Sequence, residues 1–141
     1  MATVTDPSIR FLRALRGKLT AIADLPPVAW LGVPFTAPVD EPYLEEMAFR
    51  HDPFPAELGA PGMLQRTRGF YQIDLIAPSG KGADAAFTLA DRLLTALRAL
   101  VFAVSGTRVR GHVLSTAVGS PAPEPPNGLR LPLTVYLTFD F

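Results

Sequence analysis

The chain has 141 residues, thirteen basic and thirteen acidic side chains, two histidines and no cysteine. That length fits one domain spanning residues 1–141, with a core that needs no covalent or metal staple. The absence of cysteine excludes thiol nucleophiles, disulfides, zinc ribbons and iron–sulfur clusters, and a net charge of zero gives no bulk attraction for nucleic acid or an anionic membrane.

Asp6-Pro7 predicts a helix start, with Asp6 as N-cap and Pro7 at the first helical position, where a missing N–H costs nothing. Ile9, Leu12, Leu15, Leu19 and Ile22 recur at spacings of three and four, which predicts a helix over Pro7 to Ala23. Pro26-Pro27 ends that region because neither residue continues a helical ladder. Val28 to Val33, with the only tryptophan, reads as a strand or extended segment, and Pro34, Pro38 and Pro42 make the next stretch a loop. Tyr43 to Arg50 alternates as a strand, with Tyr43, Met47 and Phe49 facing one way and Glu46 and Arg50 the other. Glu45 falls on the apolar side and weakens that pattern.

His51 to Gly62 is rich in proline and glycine and reads as a long loop. Leu64 to Ala77 reads as a long strand, with Tyr71, Ile73 and Leu75 inward and Arg66, Arg68, Gln72 and Asp74 on the other face. Pro78-Ser79-Gly80-Lys81-Gly82 breaks the chain before a second helix, Ala83 to Val101, whose stripe is Phe87, Ala90, Leu94, Leu97 and Val101. Asp84 in its first turn and Arg98 in its last suit the helix dipole. Thr107 to Gly119 reads as a strand, with Val109, Val113 and Ala117 on one face and Arg108, Arg110 and His112 on the other.

Pro121 to Gly128 is a stiff proline-rich turn. From Leu129 to Phe141 every odd position is apolar, the period of an antiparallel strand with one buried face. Pro132 in that run points to a sheet edge or a strand end. The order of elements predicts an α+β domain: two helices packed on one face of a mostly antiparallel (mixed) sheet of four to five strands.

Catalytic, cofactor and metal sites find little support. Ser79-Gly80-Lys81-Gly82 sits where phosphate loops sit, but it lacks the first glycine and the hydroxyl of a P-loop. His51-Asp52 and the distant His112 provide no spaced ligand set. Glu45 and Glu46 are adjacent on a strand, point to opposite faces and cannot act as an acid/base pair; both read as surface charge. No serine sits in a nucleophile elbow. A small-molecule or phosphate-binding enzyme using the Gly80-Lys81-Gly82 turn and His112 is the weakest reading.

Arg66, Arg68, Arg108 and Arg110 stand apart. Each pair has the two-residue spacing that places both guanidiniums on one strand face, and the four share one surface if their strands are neighbours. Such a surface is either an ordinary solvated face or a subunit interface, for which Glu41, Glu45, Glu46, Glu57 and Asp74 of a neighbouring copy offer partners. Composition leans towards assembly. Charged residues make up 18% and apolar residues 48%, a poor balance for a lone soluble monomer. No run reaches the length of a membrane span and the N-terminus does not read as a signal peptide, so a cytosolic origin is the default.

The pattern as a whole resembles the phage-related family of tail terminator, or tail completion, proteins of long-tailed phages. The resemblance runs from Ile9-Arg10-Phe11-Leu12-Arg13-Ala14-Leu15 into Leu25-Pro26-Pro27-Val28-Ala29-Trp30, then through Phe35-Thr36-Ala37-Pro38 and Arg68-Gly69-Phe70-Tyr71-Gln72-Ile73 to Pro78-Ser79-Gly80-Lys81-Gly82. It closes on Leu131-Pro132-Leu133-Thr134-Val135. It implies a structural, non-enzymatic protein with no cofactor, whose copies form a ring, typically a hexamer. The ring sits on the tail tube and meets the head–tail connector, with no membrane partner and no sequence-specific nucleic acid. The resemblance implies assembly in the host bacterial cytoplasm and residence in the virion tail or neck. Another neck, head–tail joining or minor tail role is the alternative.

Overall fold

The computed structural model describes residues 7–51, 66–78, 82–103, 110–125 and 128–140. Helix α1 spans Pro7–Thr20, followed by the short strand β1 (Val28–Ala29), β2 (Tyr43–His51) and β3 (Arg66–Ala77). Helix α2 (Gly82–Arg98) leads to β4 (Val101–Ala103), β5 (Arg110–Val118), β6 (Ala122–Glu124) and β7 (Gly128–Asp140). The strands form one sheet in the order β1-β2-β3-β7-β5-β4, with β6 also on β7. Among the described strands, only the β1–β2 pairing is parallel.

This corrects the expected α+β domain with four to five strands: among the described residues the sheet has seven, and the structure is mostly sheet. The two added strands are short and sit where other signals mask them. Leu100 and Val101 continue the helical spacing of α2, but the helix stops at Arg98 and Val101 starts β4, with Phe102 turned into the core and Val101 exposed. β6 lies inside the proline-rich turn, where Ala122, Pro123 and Glu124 pair with Arg130, Leu129 and Gly128. α1 packs against both β2 and β4, which lie far apart in the sheet order, so the sheet curls around it. Bulges at Met47 in β2 and Leu114 in β5 add local bends.

β3 and β7 form the spine of the sheet. They pair without interruption from Arg66↔Asp140 to Ala77↔Leu129. Leu131, Leu133, Val135, Leu137 and Phe139 are buried on one face with Tyr71, Ile73 and Leu75, as the alternation predicts. Phe11, Leu15 and Leu19 of α1 and Ala90, Leu93, Leu94 and Leu97 of α2 cover them. Phe139 is the hub: it stacks on Phe11 at 4.2 Å between centroids and meets Phe49 and Phe102 edge-on. Gly111 leaves room for this cluster, since a Cβ there would lie 2.4 Å from the Phe102 ring. Phe87 falls outside the core and is exposed in the second turn of α2.

α1 ends earlier than Ala23, tightening through Ala21 N–H to Lys18 and Ile22 N–H to Leu19, before Asp24 takes a left-handed conformation (φ 56°). Asp6 lies outside the described residues, as does most of the His51 to Gly62 loop. Pro132 is central, not at an edge, because it sits beside a gap. Its carbonyl accepts the Gly119 N–H at 2.8 Å, so its nitrogen points to the same side, between the end of β5 and the start of β6. No ladder bond is lost there.

Candidate functional site

The two helices cover only one face of the sheet. The opposite face presents Arg68, Phe70, Gln72, Asp74 and Ile76 of β3 beside Thr138, Tyr136, Thr134, Pro132 and Arg130 of β7. Each face carries one arginine-centred cluster.

On the helix-covered face, Glu46 is 2% exposed and holds four contacts. Arg16 of α1 donates Nε to it at 2.9 Å and closes a second, short bond through Nη2; the Tyr71 hydroxyl donates at 2.6 Å and the Leu31 N–H at 3.3 Å. Arg16 also lies over the Trp30 ring at 5.4 Å. Burial alone would raise the Glu46 carboxyl, but these donors outweigh it and hold the group below the ordinary carboxylate range. Burial, then the bond to Glu46, pushes the Tyr71 hydroxyl up. The cluster is balanced: one carboxylate, one guanidinium and neutral donors.

The expectation for β2 is corrected here. The bulge at Met47 shifts the alternation, so Leu44, Glu46 and Phe49 face the core while Tyr43 and Glu45 face outward. Glu45 and Glu46 do point to opposite faces, but Glu46 is a sealed core group and not surface charge, so it cannot serve a neighbouring copy.

On the outer face, Arg130 gathers three carboxylates. Its Nη1 donates to Asp74 at 2.8 Å, its Nη2 to Glu45 at 3.0 Å, and its Nε to Glu124 at 2.8 Å. Asp74 is 2% exposed, whereas Glu45 and Glu124 reach solvent. The bond to Arg130 holds Glu124 below its ordinary range, and the bond to Glu124 leads the rise at Arg130. Three negative charges on one positive leave an acidic excess. Beside it opens a cavity of about 340 Å³ bounded by Asp40, Glu41, Tyr43, Ile76 and Glu124.

At the opposite end of the same face lie the arginines singled out from sequence. Arg68 and Arg110 are exposed and carry no ion pair among the described residues. Arg108 and the side chain of Arg66 lie outside the described residues. The strands of the two arginine pairs are not neighbours, because β7 runs between β3 and β5. Arg68 sits opposite Thr138, which sits opposite His112; Arg66 and Arg110 flank Asp140 in register. Arg50 of β2 joins this end, its guanidinium over Phe70 at 5.6 Å.

His112 bonds Thr138 Oγ1 at 2.7 Å, and its other ring nitrogen lies 3.9 Å from Asp140. The order hydroxyl, imidazole, carboxylate mimics a hydrolase triad, but Thr138 is buried between strands and the carboxylate is beyond hydrogen-bond reach. It is a cross-strand contact. Ser79, Gly80 and Lys81 lie outside the described residues, as does Glu57. Among the described residues no cluster of His, Asp and Glu is arranged to hold a metal ion, and no helix is long and apolar enough to cross a membrane.

Sequence reading does not single out Arg16 or Arg130. The signal for Arg130 was present: it takes a polar-face position in β7, as Asp74 does in β3, but only the pairing of those strands brings them together. Arg16 meets Glu46 across 30 positions of sequence, with no local cue.

The fold recurs in other solved chains. A chain from the virion of a native gene transfer agent (GTA) particle matches it with a TM-score of 0.62, at 16% identity, covering 99% of this chain and all of that one. A second solved chain, which carries no descriptive name, matches with a TM-score of 0.64 at 23% identity, covering 94% of this chain and 92% of that one. No curated protein matches. The family model for phage tail terminator proteins matches residues 10–136, and the chain belongs to that family of phage structural tail proteins.

Proposed function

We propose that this protein is a tail terminator in the full sense. Its copies close into a ring, a hexamer in the family's manner, that caps the tail tube and presents a new surface to the head–tail connector. The observation that carries this reading is the family match over residues 10–136, from the second turn of α1 to the last third of β7. The 141 residues act as one domain, made in the host cytoplasm and incorporated at the tail or neck. The action is steric and adhesive and involves no cofactor: one ring face fits the last tube ring, and the other blocks addition of the next.

The surface supports such a role. Leu31, Val33, Phe35 and Val39 are exposed along one loop, and Val39 is 88% exposed. Leu114, Val118 and Tyr136 add apolar area on the sheet. A chain with 18% charged residues and this much exposed apolar surface gains by covering it in an assembly.

The test is tube polymerisation followed by electron microscopy. Purified tail-tube protein grown with this chain gives short tubes with density at one end. Tubes that grow equally long and bare with or without it overturn the reading. Density at the neck of assembled particles without any effect on tube length assigns a head–tail joining role instead.

A further inference from the structure

The outer sheet face is electrically polarised along its strands, and the two ends match each other. At one end stand Arg50, Arg68 and Arg110 with His112, and among the described residues Asp140 is the acidic side chain beside them. At the other, Glu45, Asp74 and Glu124 bind Arg130, the one cation there among the described residues, and Asp40 and Glu41 line the neighbouring cavity. Arg68 and Asp74 are six residues apart on β3, so the ends lie about 20 Å apart, beyond the Debye length of roughly 8 Å at physiological salt. They therefore act as separate patches although the whole chain sums to zero.

The acidic end also has a shape. Its cavity of about 340 Å³ is lined by the apolar Val39 and Ile76 as well as by Asp40, Glu41 and Glu124. An arginine suits such a place, because its stem packs on apolar surface while its guanidinium meets carboxylates. Asp40 and Glu41 are exposed and carry no ion pair among the described residues, so they are open to a partner, as are Arg68 and Arg110 at the other end. Burial raises the Tyr43 hydroxyl within this cavity, and the negative charges of Glu124 and Glu45 raise it further against the opposing charge of Arg130.

We propose that the occupant is a second copy of this chain, docked head to tail: the Arg68–Arg110 end of one copy sits on the Asp40–Glu41 cavity end of the next. Two different patches meeting in this way make a heterologous contact, which closes into a ring when the rotation per copy permits. The inference rests on the ring reading above and supplies its contact surfaces.

Charge swapping tests it. One variant carries Arg68→Glu with Arg110→Glu; the other carries Asp40→Arg with Glu41→Arg. All four sites are exposed, so both variants are expected to fold, and unfolding midpoints check this. Native mass spectrometry at the highest soluble concentration is expected to find assemblies of the wild type, monomers of each variant alone, and restored assemblies in their equimolar mixture, because the substituted side chains of one variant then face substituted side chains of opposite sign on the other. Folded variants that assemble like the wild type overturn the docking surface and leave the ring reading standing. A wild type that stays monomeric overturns self-docking, while tube capping remains decided by the polymerisation assay. A mixture that fails to reassemble shows that charge complementarity does not guide the contact and overturns it too.

Discussion

The same sheet carries two arginine clusters, one on each face, and their difference separates folding from assembly. Arg16 on the helix-covered face meets one buried carboxylate whose remaining lone pairs are taken by Tyr71 and the Leu31 N–H. Arg130 on the open face meets three carboxylates and leaves a surplus of negative charge beside a cavity. The first cluster is balanced and sealed, so it has nothing to offer a partner. The second is unbalanced and open. The proposed docking places a partner where the fold itself leaves charge uncompensated.

The contrast is sharpest along β7, where neighbouring residues serve opposite faces. Phe139→Ala removes the aromatic hub and is expected to cost about 4 kcal/mol, read from urea unfolding. Tyr136→Ala, on the open face of the same strand, is expected to stay within about 0.5 kcal/mol of wild type. Equal losses would remove the distinction between the faces.

The clusters themselves come next. Glu46→Ala is expected to cost about 3 kcal/mol, because it leaves the Tyr71 hydroxyl buried without its acceptor and Arg16 without its counter-ion. Asp74→Ala is expected to cost about 1 kcal/mol, since Arg130 keeps Glu45 and Glu124. The reverse order would mean that the open cluster holds the fold together.

A pH series sharpens the same point. The folded-state pKa of Glu46 lies below its unfolded value, so between the two the unfolded chain binds more protons. The stabilisation is complete above the ordinary carboxylate range and is lost as pH falls through the lowered value. Glu46→Gln is expected to flatten that acid limb of the unfolding profile. An unchanged limb would place the acid sensitivity elsewhere.

What the sequence made legible follows the range of each interaction. The alternation of β7 and the inward residues of β3 were readable, because a period of two is local and one face is buried. The face of Glu46 was not, because a single bulge residue at Met47 flips the pattern and the charge partner sits in another element. β4 was hidden by a helical spacing that continues past the helix end, and β6 by its prolines. The arginine pairs were readable as strand-face residues, but not their neighbours: β7, last in sequence, inserts between β3 and β5. The open face and its polarity therefore appear only once the sheet order is known.

The smallest expected effect on stability belongs to the open basic end. Arg68→Glu with Arg110→Glu is expected to leave unfolding within about 0.5 kcal/mol of wild type. The decisive measurement is the tube-length distribution by electron microscopy when tail tubes are grown with wild type or with this stable double variant. Short, capped tubes with the wild type and long, bare tubes with the variant are the expected result. Tubes that grow unchecked in the presence of wild type, or that the variant caps equally well, would contradict the assignment of the open sheet face to terminator assembly.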